Sequence, residues 1–346
     1  MSFLGGLFRH SNRHATAALI DIGAASIGAA FVEYKEGEKP LIHYTLRAPI
    51  EVHRGEPHVG ALVRTLQALG AECIKKGAPA LARATGSGSV DALFVSVDAP
   101  WQELRVRTEH VKRDEPFTFT KRFVKELLEN TRPPISEKLL ADESIIGTIL
   151  NGYETHDPYG KTAYRASVVI LTSLIEERVS KEITSTLRGL FHTTHVMLIA
   201  GSSVRYQGMR GVFPHEQNAL MLDVTESLTS VVLVRRGILV AITEVPNTTG
   251  GSAWMAAVMD ECRKIAKRYP LPRTIFLLTR EADTTALQKT LGDAKLGELW
   301  LSENPPKIVP VVASHLTELV QQTVATPPDL VLFLMAINYQ QRALDA

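Results

Sequence analysis

The chain has 346 residues, 45% hydrophobic and 22% charged, with a net charge of +1, which is ordinary globular material for two or three compact domains. The balanced charge excludes a dedicated nucleic-acid surface, which needs clustered Lys/Arg not offset by acids. Two cysteines, Cys73 and Cys262, sit inside amphipathic helical patterns and read as core residues of a reducing compartment. No apolar run approaches the roughly 20 residues of a spanning helix.

The opening segment, Phe3-Leu4-Gly5-Gly6-Leu7-Phe8-Arg9-His10, has too few apolar residues, placed before the basic ones, for a secretory signal. Its two glycines oppose a helix, so 1–14 reads as a mobile tail, its other reading being a weak membrane or partner contact. ALIDIGAASIGAAFVEY follows as a buried strand, a small-residue turn and a returning strand. LIHYTLRAPI is a third strand. In GALVRTLQALGAECIKK, Leu62, Leu66, Leu69 and Cys73 share one helical face. The stretch from Ala84 to Val90 is the clearest flexible joint.

A second unit is expected over 90–201. DALFVSVDAPW opens it as a strand; strand-like EHVKR, the helix TKRFVKELLENT and the extended pair SIIGTILNGYET and KTAYRASVVILTSL follow. The most regular helix then runs from Ile175 through Val179, Ile183 and Leu187 to Leu190, and HVMLIAG closes the unit. No Ser/His/Asp, Cys/His or paired-carboxylate arrangement occurs in it. His192 and His195 flank its last strand and, as an isolated pair, read as surface residues.

LMLDVTESLTSVVLVRRGILVAITEV repeats the strand–turn–strand pattern around Asp223. After Gly250-Gly251 comes one helix burying Trp254, Val258, Cys262 and Ile265, then a strand in TIFLLTREAD. TREADTTALQKTLGD reads as helix, KIVPVVA as strand, HLTELVQQTV as helix and PPDLVLFLMAINYQQ as the closing helix.

An aspartate at the end of a buried strand is costly unless it has work, and positioning a hydrated magnesium ion over nucleotide phosphates is such work. Asp21 and Asp223 each stand beside a turn of small or hydroxyl residues. The structural alternatives are a turn-capping Asp21, an Asx-type turn at Asp223 and plain turn glycines at Gly250 and Gly251.

The two hairpins resemble those of the actin-like ATPase superfamily, in which one phosphate loop comes from each half. Asp21-Ile22-Gly23-Ala24-Ala25-Ser26-Ile27-Gly28 is similar to the first loop of its PilM/FtsA branch, roughly DIGSSSVK, and the opening segment also looks like that branch. As an order of elements the resemblance covers nearly the whole chain; its motifs are specific only in the first 35 residues or so and around Asp223. It implies an α/β, ribonuclease H-like fold of two lobes: lobe 1 from 15–89 with 202–216, an inserted SHS2-like subdomain 1C over 90–201, and lobe 2 from 217–346 with a reduced or absent subdomain 2B.

The resemblance further implies ATP with Mg2+, held by Asp21, Gly23, Ala24, Ala25, Ser26, Asp223, Thr225, Ser227, Gly250 and Gly251, with Asp21 and Asp223 on the metal. The chain departs from the family at Gly28, where a lysine is common, at Thr225-Glu226, where glycines usually lie, and at Arg280-Glu281 in the adenosine element. A Cβ or a negative charge there opposes close approach of a phosphate. The expected site is therefore weak or degenerate, with slow hydrolysis or none.

The function implied is a cytoplasmic assembly scaffold of type IV pilus or type II secretion machinery, peripheral at the inner face of the membrane. It would bind the N-terminal peptide of a bitopic inner-membrane protein (PilN-like) in a groove between lobe 1 and the insertion, with self-association as a further expectation and membrane association indirect. An FtsA-like division adaptor is the alternative; FtsA-type chains usually end in a linker and an amphipathic helix, and this one stops at Gln341-Arg342-Ala343-Leu344-Asp345-Ala346. From another class, an active ATPase or sugar-kinase-like enzyme would need a catalytic aspartate and a substrate pocket in the cleft.

Overall fold

The structure is a computed structural model, and it describes residues 14–132, 136–155, 157–247, 251–294, 299–300, 304 and 306–344. The expected roles of the 1–13 segment and of Gly250 fall outside the described residues.

Two sheets share one plan. In the first, β1 (His14–Ile22), β2 (Ser26–Lys35) and β3 (Leu41–Pro49) form an antiparallel meander, and β4 (Ala92–Val97) and β9 (Val196–Ala200) join parallel to β1. The order is β15-β3-β2-β1-β4-β9, where β15 is the two-residue strand Gln321–Gln322. In the second, β10 (Ala219–Val224), β11 (Leu228–Arg235) and β12 (Ile238–Pro246) make the meander, and β13 (Thr274–Leu278) and β14 (Lys307–Val311) follow in parallel. The order β12-β11-β10-β13-β14 repeats the first.

Both first strands are near-continuous apolar runs because both their faces are covered. On β1, Ala18, Ile20 and Ile22 face one core, with the helix α1 (His58–Glu72), while Ala17 and Leu19 face another. On β10, Leu220 and Leu222 pack against α6 (Gly251–Ala266), and Ala219 and Met221 enter the same core as Ala17 and Leu19. That shared core holds α5 (Gly201–Val212) and α8 (Leu330–Leu344), which pack on each other between the sheets. The expected buried face of α6, with Trp254, Val258, Cys262 and Ile265, is present, and α6 is the one helix between β12 and β13 among the described residues. This lean connection agrees with a reduced second-lobe insertion.

The inserted unit is narrower than 90–201. It comprises β5 (Gln102–Thr118), α3 (Lys121–Thr131), β6 (Lys138–Leu150), β7 (Tyr153–Glu154) and β8 (Thr162–Glu176), in a sheet of order β5-β8-β6-β7. Its outer face, with Val168, Ile170, Phe117 and Phe119, is closed by α3; its inner face, with Ile146, Val169 and Leu171, joins the shared core beside Ile238 and Leu239 of β12. A Cβ at Gly147 would collide with Ile238, so glycine is what lets the insertion close on lobe 2. The sheet thus touches both lobes.

Four expectations are corrected. The strands β4 and β9 belong to the first sheet, since their parallel pairing continues β1. The helix α4 (Glu177–Phe191) packs on α1, its stripe of Val179, Ile183 and Leu187 completing the lobe 1 core rather than the inserted sheet; Ile175 belongs to β8 instead of starting this helix. The 84–90 stretch joins α2 (Ala78–Thr85) to β4, both parts of lobe 1, so it is no joint between units. Last, HLTELVQQTV is a short 3-10 turn and the strand β15; Gln321 and Thr323 donate to the carbonyls of Pro40 and Ile42, and this sheet pairing outweighs a modest helix propensity. With β15 in the first sheet and α8 packed on β1, β2 and β4, these two elements sit on lobe 1, facing the core shared with lobe 2.

Candidate functional site

The register of the first meander lines up Asp21, Gly28 and Arg47 across β1, β2 and β3. Gly28 carries no side chain, and Arg47 reaches over it to Asp21, Nη2 donating to Oδ2 at 2.8 Å. A Cβ at Gly28 would come within 2.5 Å of that nitrogen. On the other flank Ser96 of β4 stands beside Asp21 in register and donates to Oδ1 at 2.7 Å. Arg47 also donates to Ser26 Oγ and, from Nε, to Asp329 Oδ2 at 2.6 Å. Asp329 caps α8 by accepting from the N–H groups of Val331 and Leu332.

The second meander lines up Asp223, Ser230 and Glu244 in the same way. No cation comes from β12 here. Arg205 of α5 supplies it instead, Nε donating to Asp223 Oδ2 at 2.5 Å. Its other two nitrogens grip Asp98, just past β4, with Nη2 to Oδ1 at 2.7 Å and Nη1 to Oδ2 at 3.1 Å. Arg205 is fully buried, and Gly201 at the start of α5 leaves the space that the Asp98 carboxylate fills. Beside this pair Gln102 accepts from Ser202 and donates to Glu244, linking β5 to β12.

Burial works against the charges of Asp98, Asp223, Arg47 and Arg205. It lifts the Asp98 pKa to about 6; Arg205 pulls it down, while Asp21 and Asp223 push it up further. Burial likewise raises Asp223, opposed by Arg205 and assisted by Asp21. The two expected acids therefore lie close enough for Asp21 to bear on Asp223. For Arg47 and Arg205 burial would lower the pKa, but their carboxylate partners outweigh it and hold both charged.

Each turn is closed at its base by a backbone bond. Gly23 N–H donates to Ser26 O, and the Ala25 carbonyl accepts from Ile50. Thr225 N–H and Oγ1 both donate to Leu228 O. Asn247 holds the second turn from outside, its Nδ2 donating to Thr225 O and its N–H to Ser227 O, while Trp254 and Thr229 fix the Asn247 side chain in a chain of hydrogen bonds. Glu226 faces Arg280 at 3.6 Å. Gly251 begins α6 with only ordinary contact waiting for a Cβ there, so nothing at that position demands glycine. Among the described residues no group of three His, Cys, Asp or Glu could hold a metal ion. His192 and His195 are exposed, His192 in the left-handed conformation that caps α4.

Sequence reading singled out Asp21 and Asp223 but not Arg47, Ser96, Asp98, Arg205, Asn247 or Asp329. The one available signal was Arg205 itself, a charge within the otherwise uncharged run GSSVRYQG.

A second candidate site lies outside the cleft. A groove of about 1460 Å³ runs between the insertion and lobe 1, walled by β6, β9, α5 and α8, with Gln217, Val234 and Gly237 of lobe 2 also lining it. Among the described residues β7 pairs with β6 only at Ile149 and Leu150, and β9 has a strand on one side only, so both walls present unpaired strand edge. Arg342 of α8 bridges to Asp142 of β6 through two bonds of 3.1 and 2.8 Å across this groove. Phe94, Ile146 and Met197 line its apolar part, and Leu139 lies at its rim, 40% exposed.

No family model matches the chain, and no curated protein matches it. Solved structures do. The chain is similar to one in a PilM–PilN type IV pilus biogenesis complex, with a TM-score of 0.56 and 14% identity over 95% of this chain and 99% of that one. A protein with actin-like ATPase fold and unknown function from Bacteroides thetaiotaomicron aligns with a TM-score of 0.44 and 8% identity over 93% of this chain and 95% of that one. At such identity the likeness concerns fold, and two sheets of identical order facing each other across α5 and α8 give this chain the two-lobed, actin-like fold found in PilM.

Proposed function

We propose that the protein is a PilM-like scaffold of a type IV pilus or type II secretion assembly, cytoplasmic and held at the inner membrane face by a bitopic membrane protein whose N-terminal segment it binds. The observation that carries this reading is the groove between the insertion and lobe 1, with unpaired strand edge on two walls. An extended peptide gains affinity there from main-chain hydrogen bonds, and apolar floor residues select its side chains. The insertion is then the SHS2-like interaction subdomain of this branch. No helix among the described residues is long and apolar enough to cross a membrane, so attachment through a partner is the economical arrangement. The solved complex of a structurally similar chain bears the names PilM and PilN, which supports a partner of PilN type.

The test is fluorescence anisotropy with the cytoplasmic N-terminal peptide of the bitopic protein encoded beside this gene. Leu139→Asp, at the exposed groove rim, is expected to weaken binding about tenfold or more without unfolding the chain. Binding that ignores this change, and also ignores Met197→Glu deeper in the groove, refutes the assignment. Self-association belongs to the same proposal and is read by sedimentation with and without the peptide.

A further inference from the structure

The fold implies a nucleotide and its magnesium between the lobes, and the residues present do not fit them. Both oxygens of Asp21 already accept hydrogen bonds, from Ser96 and from Arg47. Asp223 is held by Arg205. The turn N–H groups of Gly23 and Thr225 point back into their own turns. A carboxylate pair that orients a hydrated cation needs its free oxygens turned to the metal water, and each of these carboxylates faces a guanidinium instead.

From this occupancy we infer that the cleft is an internal latch: Arg205 replaces the bound nucleotide and cation as the tie between the lobes, and the closed state is independent of nucleotide. The geometry assigns each arginine a different job. Arg47 neutralises Asp21 within lobe 1 and fastens the start of α8 through Asp329. Arg205 extends from α5 and joins Asp98 of lobe 1 to Asp223 of lobe 2, fully buried, with three hydrogen bonds in a planar fork. Ser202, Gln102 and Glu244 add a neutral line of contact beside it. Gly28 and Gly201 are the sequence signs of the device, since a side chain at either would strike Arg47 or Asp98.

A nucleotide that bridges two lobes stabilises the closed form only while it is bound, because its effect follows its concentration. A covalently attached arginine has no such dependence. The consequence is a scaffold whose groove geometry does not change with the nucleotide state of the cell.

The experiment uses the full chain. Thermal melts with about 5 mM Mg-ATP, Mg-ADP or Mg2+ alone are expected to move the midpoint by less than about 1 °C. A rise in the wild-type midpoint with Mg-ATP that Asp21→Asn removes overturns the inference. Hydrogen exchange then reads the latch directly: Arg205→Gln is expected to speed exchange about tenfold or more at the backbone amides of 96–102 and 220–224. Should Arg205→Gln fail to fold, the combined Asp98→Asn, Arg205→Gln and Asp223→Asn variant removes the charges together and is expected to show the same acceleration. Wild-type exchange rates in whichever of these variants folds also overturn it.

Discussion

The two meanders are built on the same register yet settle the same electrostatic problem in opposite ways. In lobe 1 the row reads Asp21, Gly28, Arg47, and the missing side chain in the middle lets the third strand bring its own cation to the first. In lobe 2 the row reads Asp223, Ser230, Glu244, with a hydroxyl in the middle and a second acid on the third strand. A buried carboxylate cannot stay charged without a partner, so that row must import one. The difference teaches that local neutralisation leaves a lobe self-contained, whereas an imported arginine turns an acid's need for a partner into an interlobe bond.

The largest effect expected from breaking this asymmetry is at Arg205. Arg205→Gln leaves Asp98 and Asp223 buried without their counter-charge, and removing one member of a buried ion network typically costs about 3–5 kcal/mol. Urea unfolding measures it. The triple neutral variant is expected to recover the part of that loss that arises from uncompensated charge and to keep the part, about 1–2 kcal/mol, that comes from the missing interlobe bonds. Equal losses in the single and triple variants would show that packing around α5, not charge, holds the lobes.

Next in size is a control that leaves both rows intact. Ile183→Ala removes a fully buried side chain from the α4 stripe against lobe 1 and is expected to cost about 2–5 kcal/mol. If α4 instead belonged to the inserted sheet, its loss would leave exchange in α1 unchanged.

How much of this was legible in the sequence follows from the kind of signal each feature leaves. Asp21 and Asp223 stood out because a charge interrupts an apolar run, and α6 and α4 because their buried residues keep helical spacing. The ownership of α4 did not, since periodicity fixes which face is buried and says nothing of what covers it. HLTELVQQTV has helical spacing, yet two hydrogen bonds to the carbonyls of Pro40 and Ile42, far away in the chain, decide its form. The arginine pairs were hidden for the same reason. Arg47 meets Asp21 only once β1, β2 and β3 are in register, and Arg205 meets Asp223 only once the lobes close; neither pairing leaves a spacing in the chain. Gly28 did leave a mark, as the position where a common lysine is missing, and the structure supplies its meaning: the space belongs to Arg47.

The comparison also has a pH signature. Asp98 has a folded pKa raised to about 6 from 3.8, because burial outweighs Arg205. Between those two values the folded state holds the proton more tightly than the unfolded chain, so this group's contribution to stability falls as pH rises through the window and is constant above it. Asp98→Asn removes that contribution. The stability of wild type relative to Asp98→Asn is therefore expected to decline from pH 4 to pH 6 and then level off, as seen in melts at matched ionic strength. A difference that grows with pH reverses the sign and places Asp98 among the ordinary salt-bridged acids.

The smallest expected effect sharpens the contrast from the lobe 1 side. Gly28→Ala puts a methyl group where the Arg47 guanidinium lies, but the obstructed atoms are the far end of a flexible side chain that is a third exposed. Arg47 can swing outward while keeping Asp329, and Asp21 retains Ser96. The loss then amounts to roughly one charged hydrogen bond, about 1–3 kcal/mol. The change stays inside lobe 1, so exchange at 220–224 is expected to match wild type while that of β1 to β3 rises. Were exchange in the second meander to rise as well, Asp21 and Asp223 would be coupled through the cleft, and the two rows would form one network in place of a self-contained site beside a latch.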